Sequence, residues 1–309
     1  MNNQERELSV AIFGASGKLG TAIKDKLPES IVFGKNHDTL DVTDHSAVSL
    51  FLKTVKPKFL INCAATSNHR DIGLSYDDHQ KVNNVAVSHM AKACAVNNVH
   101  LIHISDVEVF GGLGRRAYVE FDAVCPTSDY AKSKALGEYA ITSIGHFSHD
   151  VTAEFKFWIL RTSMLVGTAG RNNFVDDFVA AAISSRIPLQ VTDGVVRSIT
   201  YIPHLVKQIC WLMEYYRSVP RGTYHLANKG YTSINEMTAY LLRCITDVKH
   251  TAPINVVDNR VFASKYPQLS GRNGVLNCEL WNSLCEDEMP YWTEAIKDYA
   301  KCYMLSRSG

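Results

Sequence analysis

The chain has 309 residues, 46% hydrophobic and 20% charged, and its 32 basic and 31 acidic side chains leave a formal charge of +1. So apolar and so nearly neutral a composition excludes a disordered chain and argues against a nucleic-acid binder that depends on a basic face. At roughly 150 residues per domain the length suggests about two domains, or one large α/β unit carrying a smaller lobe. No apolar run approaches the roughly 18 residues that a membrane span requires. The polar opening from Met1 to Glu7 reads as neither a signal peptide nor an anchor. The expectation is a soluble, cytoplasmic protein with no membrane association.

Leu8 to Phe13 reads as a short strand and Leu19 to Leu27 as a helix. Ser30 to Gly34 is a second strand, Ser46 to Val55 a helix ending before Pro57, and Lys58 to Cys63 a third strand. Val82 to Val96 is an Ala-rich helix, followed by His100 to Ile104, a strand apolar on both faces. Strands alternating with helices of about 10 to 15 residues imply βαβ units and a parallel sheet. The right-handed crossover rule then gives a doubly wound α/β (Rossmann) fold. After about residue 165 the alternation weakens, with helices at Asn173 to Ser185, Pro203 to Tyr216 and Ile234 to Ile245. Short strands are expected between them, at Pro188 to Thr192 and Thr223 to Leu226. Residues 1–165 are therefore expected to form a dinucleotide-binding domain and residues 166–309 a smaller C-terminal substrate lobe interleaved with it.

The 8 cysteines are widely spread, with no C-x-x-C pair, and several lie in apolar stretches. They read as free thiols packed as small hydrophobes, not as a disulfide framework. His100 and His103 sit three apart on a predicted strand and point to opposite faces, so they cannot share a metal. No metal site is expected.

Gly14-Ala15-Ser16-Gly17-Lys18-Leu19-Gly20 is a G-x-x-G-x-x-G loop directly after the first strand and opening the first helix. Such spacing permits a tight turn, close backbone approach to a pyrophosphate and close packing of helix on strand. The anion would sit at the positive end of the helix dipole. Cofactor choice turns on the end of the second strand, where a carboxylate would hold the ribose 2′-OH of NAD. Here the chain reads Val32-Phe33-Gly34-Lys35-Asn36, with Lys35 in place of an acid, which favours NADP(H) and leaves NAD(H) as an option. The bland reading of Lys35 is a solvated surface lysine.

Tyr130 and Lys134 make a Y-x-x-x-K pair that shares one helix face. A cation beside the phenol lowers its pKa and suits proton transfer to a carbonyl oxygen. Placed after a dinucleotide loop and several strands, the pair resembles the extended short-chain dehydrogenase/reductase superfamily. Further blocks are similar to the dTDP-4-dehydrorhamnose reductase family: Leu40 to Asp44, Ile61 to Ala65, Val82-Asn83, Leu101 to Ser105, Val109-Phe110, Tyr130 to Glu138, Leu160 to Ser163, Arg171 to Phe174 and Gly222 to Leu226. Gly271-Arg272-Asn273 only loosely matches the family's Arg-Pro. The resemblance implies binding of NADP(H) or NAD(H) and reduction of the C4 ketone of a nucleotide-linked 6-deoxyhexose. It implies that Asp41 and Val42 contact adenine, that Cys63, Ala64 and Ala65 line the nicotinamide side, and that Lys134 also holds the nicotinamide ribose. Family enzymes are often homodimers.

The departures are local. Where the family reads Ser-Thr-Asp-Tyr-Val-Phe-Asp-Gly, this chain has Ser105-Asp106-Val107-Glu108-Val109-Phe110-Gly111-Gly112. The catalytic Thr becomes Asp106, the sugar-site pair becomes Val107-Glu108, and the usual Trp becomes Met164. An ionised Asp106 would raise the Tyr130 pKa and repel developing alkoxide charge. At about 4 Å and an effective dielectric of 20, two unit charges interact by roughly 4 kcal/mol. Lys134 could offset that charge, burial could keep Asp106 protonated and donating, or Ser105 could substitute from the other strand face.

Two readings of function follow. One is an NADPH-dependent reductase, or reductase/epimerase, of a nucleotide-linked 4-keto-6-deoxyhexose, with Tyr130 as proton donor and Asp106 in the catalytic set. The alternative is a weak or inactive cofactor-binding protein acting through a partner, as in the regulatory β subunit of methionine adenosyltransferase, which resembles the same family. Epimerisation or dehydration with Asp106 or Glu108 as base is a remaining variant. Among substrate-side candidates, Glu108 and His69 either touch substrate or sit at a loop rim, and Met164 lines the pocket or packs as core. Arg197 holds a nucleotide diphosphate or lies at the surface. Arg161 is expected to anchor a strand end.

Overall fold

A computed structural model of the chain describes residues 9–29, 32–67, 73–147, 155–168, 174–184, 187–245, 253–266 and 271–305. The central sheet is built from β1 (Val10–Phe13), β2 (Val32–Lys35), β3 (Phe59–Asn62), β4 (His100–Asp106) and β5 (Phe157–Thr162). Every residue of β1, β3 and β5 is buried. Strands buried on both faces read as continuous apolar runs, as these do.

All pairings in this sheet are parallel, and with β10 (Gly222–His225) at one edge the order is β10-β5-β4-β3-β1-β2. Both β2 and β3 pair with β1, so the direction of sheet growth reverses there. That reversal opens a crevice at the carboxyl ends of β1 and β3, the place where doubly wound sheets bind ligands. One face of the sheet, through Ile12, Ile102 and Trp158, packs on Leu205 and Ile209 of the helix Ile202–Tyr215. The other face, through Phe13, Leu60 and Leu101, packs on Val87, Met90 and Ile141. Burying an Ile or Phe of this kind contributes about 1.5–3 kcal/mol.

The expected elements recur with shifted ends. The helix Lys18–Lys26 follows the glycine loop, and His45–Val55 is capped by Asp44, whose side chain accepts from Ala47 N. Lys56, in the left-handed region at φ 48°, ends that helix before Pro57. The helix expected at Val82 starts earlier. Ser75 and Asp78 form a capping box for Tyr76–Gln80, a π-helical turn spans Lys81–Val85, and the α-helix resumes over Ala86–Val96. A polar first turn and a π turn both fall outside the 3.6-residue apolar period that sequence reading follows.

The strand expected at Thr223 forms β10 (Gly222–His225), and it pairs with β5 as the edge of the main sheet instead of lying in the smaller lobe. The chain beyond residue 165 thus supplies both a strand and a covering helix to the first layer. What remains carries short strand pairs, β6 (Met164–Val166) with β9 (Ile199–Tyr201) and β7 (Leu189–Val191) with β12 (Ile254–Val256). A three-stranded unit orders β11 (Thr232–Ser233), β8 (Val196–Arg197) and β13 (Asn273–Gly274). Their core includes Val175, Val179, Met237, Leu241, Trp292, Ile296 and Tyr299. Among the described residues, no helix is long and apolar enough to cross a membrane.

Candidate active site

The glycine loop closes the crevice from the β1 side. Gly14 has φ +76°, and a Cβ on it would lie 2.6 Å from Ala64 N, so only glycine lets the loop approach the end of β3. A Cβ at Gly20 would overlap the Gly14 carbonyl and come within 2.9 Å of Ala15 Cα. Gly17 is the helix N-cap, with no side-chain cap among the described residues, and Gly17 N donates to Gly14 O at 3.0 Å. The turn is a cradle that side chains would fill, and its residues fit a dinucleotide pyrophosphate.

Around it, Ala15 N donates to Lys35 O at 2.9 Å, which brings the end of β2 beside the loop. The Lys35 ammonium sits 5.3 Å over the Phe51 ring. Asp41 accepts from Thr43 N at 2.9 Å and from the Thr43 hydroxyl at 2.8 Å, and these bonds hold its carboxyl below the ordinary range. On the far side, Cys63 N donates to Phe13 O and Ala64 N to Asn62 Oδ1. Burial pushes the Cys63 thiol up to about 12, so it is a neutral wall of the site. Lys18, Val42 and Ala65 are also present at this end, but the Lys18 side chain leaves the loop, with its ammonium on Gly167 O at 2.7 Å and 2.5 Å from Asp176 Oδ2.

The residues expected to be catalytic gather at the end of β4. Asp106 closes that strand and opens the 3-10 turn Val107–Phe110, its Oδ1 accepting from Glu108 N at 2.8 Å. Tyr130, in the first turn of the helix Asp129–Phe147, donates its hydroxyl to Asp106 Oδ2. Lys134, one turn on and 2% exposed, donates to Ile104 O at 2.6 Å. The lysine thus lies in the same group, while the phenol itself is held by Asp106 instead of by the expected ammonium. Burial raises the Asp106 pKa above the usual carboxylate range, against the opposing pull of Lys134 and of the Tyr130 hydrogen bond. Burial lowers the Lys134 pKa, opposed by Asp106 and Glu138.

A second polar group, which sequence reading missed, braces Tyr130. The His79 ring meets the Tyr130 ring edge-on at 5.9 Å, and His79 Nδ1 is 2.7 Å from the Thr66 hydroxyl. Asn83 Nδ2 donates to Thr66 Oγ1 at 2.9 Å and Ser133 Oγ at 3.0 Å, and Ser133 returns a bond to Tyr130 O at 2.7 Å. The π turn is what carries Asn83 into this position. Val82-Asn83 was the one sequence signal for it.

On the substrate side, Arg197 is not a surface residue. It is 2% exposed, and its Nη2 lies 3.3 Å from Glu108 Oε1. Burial raises the Glu108 pKa, opposed by Arg197. Glu108 keeps 25% side-chain exposure and so can still face the cleft. Ser105 and Val107, also expected at the substrate side, are both buried. Ser105 is 1% exposed, and its Oγ has no hydrogen-bond partner among the described residues. Val107 packs with Val109, Phe110, Tyr118 and Leu276. Met164 is partly buried against two apolar clusters. Arg161 anchors its strand as expected, with Nη2 at 2.7 Å and Nε at 3.1 Å from Glu138 carboxylate oxygens. His69 and Arg171 to Asn173 lie outside the described residues.

A dinucleotide cradle at the sheet reversal, with a phenol and a buried lysine one helical turn apart beside it, defines an NAD(P)H-dependent reductase of the extended short-chain dehydrogenase/reductase class. The sequence pattern of the RmlD substrate binding domain matches residues 8–304, and the chain belongs to that family. A similar protein is the dTDP-4-keto-6-deoxy-D-glucose reductase of Streptomyces niveus, 27% identical over 289 residues, covering 92% of this chain and 94% of that protein. The dTDP-4-dehydrorhamnose reductase of Aggregatibacter actinomycetemcomitans is 28% identical over 295 residues, covering 93% and 96%. Among solved structures, the dTDP-4-dehydrorhamnose reductase of Bacillus anthracis in complex with NADP superposes with a TM-score of 0.81 at 24% identity, covering 94% of this chain and 98% of that one. Its Clostridium acetobutylicum counterpart gives 0.82 at 24% identity, covering 96% and 99%.

Proposed function

We propose that this chain is an NADPH-dependent reductase of a dTDP-linked 4-keto-6-deoxyhexose, with NADH as a second electron donor. The observation that carries the reading is the Tyr130 hydroxyl at the carboxyl end of β4, hydrogen-bonded to Asp106 and one helical turn from the buried Lys134. The names of the curated relatives support the substrate class, and they favour an enzyme over a cofactor-binding partner protein.

Gly14, Gly17 and Gly20, with the backbone of Ser16, Lys18 and Leu19, would hold the pyrophosphate. Lys35 would face the 2′-phosphate, Asp41 and Val42 the adenine, and Cys63, Ala64, Ala65 and Lys134 the nicotinamide side. When bound, NADPH supplies the hydride that reduces C4. Tyr130 delivers its hydroxyl proton to the ketone oxygen, so that the carbonyl becomes a secondary alcohol. The phenol regains a proton from Asp106 when that carboxyl is protonated, a state its burial favours. Lys134 stabilises the transient phenolate electrostatically. Glu108, Met164 and Arg197 form the sugar-side wall. Glu108 is also the residue through which an epimerase step would run, as a base for a C–H next to the ketone. The lobe within residues 166–309 would carry the nucleotide.

NADPH absorbance with dTDP-4-dehydrorhamnose, set beside UDP- and GDP-linked 4-keto sugars, tests the reading. Turnover confined to the dTDP sugar is expected. No turnover with any of them, from wild type and Asp106→Thr alike, would overturn it.

A further inference from the structure

We infer that Lys18 is a positioning residue that ties occupancy of the glycine loop to the C-terminal helix, through a buried chain of Asp176 and Tyr299. The three side chains come from three separate elements: the glycine-loop helix, the helix Phe174–Ser184 and the helix Trp292–Leu305. Lys18 Nζ lies 2.5 Å from Asp176 Oδ2. The other oxygen, Asp176 Oδ1, accepts the Tyr299 hydroxyl at 2.7 Å. The Lys18 and Asp176 side chains keep 9% and 5% exposure, and Tyr299 keeps none.

The inference rests on the cofactor reading above. Lys18 is the first residue of the helix whose start would face the pyrophosphate, so its backbone belongs to the cofactor cradle while its ammonium belongs to the lobe. A phosphate at the cradle places a second anion near that lysine. A buried ion pair has little water to take over from a lost partner, so any change at Lys18 must be met by Asp176 and then by Tyr299. The apolar cluster that holds Tyr299, with Val166, Val175, Ile199, Trp292 and Ile296, contains no glycine-loop residue. Within that cluster, the polar chain and not apolar packing makes the link.

Hydrogen–deuterium exchange of the full chain with and without NADPH tests this, with NADPH binding followed separately by its fluorescence. In wild type, NADPH should slow amide exchange over residues 292–305 severalfold. Tyr299→Phe, which removes one hydroxyl, should abolish that slowing while NADPH binds within about threefold of wild type. Asp176→Asn should abolish it too, and should tighten NADPH binding with a steeper salt dependence, because the Lys18 ammonium then loses the neutralising Asp176 carboxylate. Equal slowing in wild type and Tyr299→Phe overturns the inference, as does a variant whose exchange rises uniformly without NADPH. Binding with no slowing in wild type overturns this link alone, and failure of NADPH to bind wild type overturns the cofactor reading with it.

Discussion

The hydroxyl of Tyr130 is bonded to the carboxylate of Asp106, and the ammonium of Lys134 is bonded to the backbone at Ile104. The proposed proton donor thus meets an acid whose own protonation burial shifts upward. With Asp106 neutral, it can donate to the phenol oxygen. With Asp106 charged, it holds the phenol proton and opposes alkoxide character on the substrate.

This relationship has a pH signature. The folded chain raises the Asp106 pKa, so it binds that proton more tightly than the unfolded chain does. The stability contribution is therefore present below the ordinary Asp value and is lost as pH rises through the raised one. Activity runs the same way: kcat/KM should fall as Asp106 ionises. Asp106→Asn should remove that limb from kcat/KM while lowering kcat, because the amide can hydrogen-bond the phenol but has no proton to return to it. Superimposable profiles of the two proteins would show that Asp106 does not control the phenol.

Lys35 should set the choice of cofactor. Its ammonium lies over Phe51, and its own backbone carbonyl receives Ala15 N. Lys35→Glu should weaken NADP+ binding by about tenfold, a loss of roughly 1.4 kcal/mol, and leave NAD+ within a factor of about two. Isothermal titration with both nucleotides reads the difference, and equal weakening of both would remove Lys35 from the 2′-phosphate.

The glycine loop should discriminate fold from binding. Gly14→Ala combines a left-handed φ with a clash at Ala64 N, so a loss of about 2–4 kcal/mol in urea unfolding is expected. Gly17→Ala has an ordinary φ of −75°, and its Cβ would lie 3.3 Å from Gly14 O. It should cost less than about 1 kcal/mol of stability while weakening NADPH binding more than Gly14→Ala weakens the fold in proportion.

Arg161 should act on stability alone. It is 5% exposed, pairs with Glu138 and donates to Glu120 O at 3.2 Å. Arg161→Met leaves a buried carboxylate without its guanidinium and should cost about 3–5 kcal/mol in urea unfolding. Arg161→Lys should recover only part, because a point charge cannot reproduce the two-pronged contact. Full recovery by Lys would mean that charge alone matters there.

The parts of this molecule that were readable in the sequence are those governed by local pattern. β1, β3 and β4 announced themselves as apolar runs because both faces of the sheet are covered, and the glycine spacing marked its loop because a Cβ does not fit at Gly14 or Gly20. Tyr130 and Lys134 were identified by residue type and spacing, and Asp106 by resemblance to the family's Ser-Thr-Asp-Tyr block. What spacing could not supply was who bonds to whom: Lys134 goes to Ile104 O, and Asp106 takes the phenol. Nor could it show that Arg197 is buried against Glu108 from 89 residues away. The return of β10 to the sheet edge was hidden for the same reason, since parallel pairing leaves no short-range signal. Asn83 owes its place to a π turn that breaks the very periodicity used to find helices.

The most direct test of the account is turnover of dTDP-4-dehydrorhamnose by wild type and Tyr130→Phe, followed by NADPH absorbance, with NADPH binding measured on both proteins. The account predicts that wild type turns over and that loss of the one hydroxyl lowers kcat by about a hundredfold to ten-thousandfold while NADPH still binds. Undiminished turnover by Tyr130→Phe would contradict it.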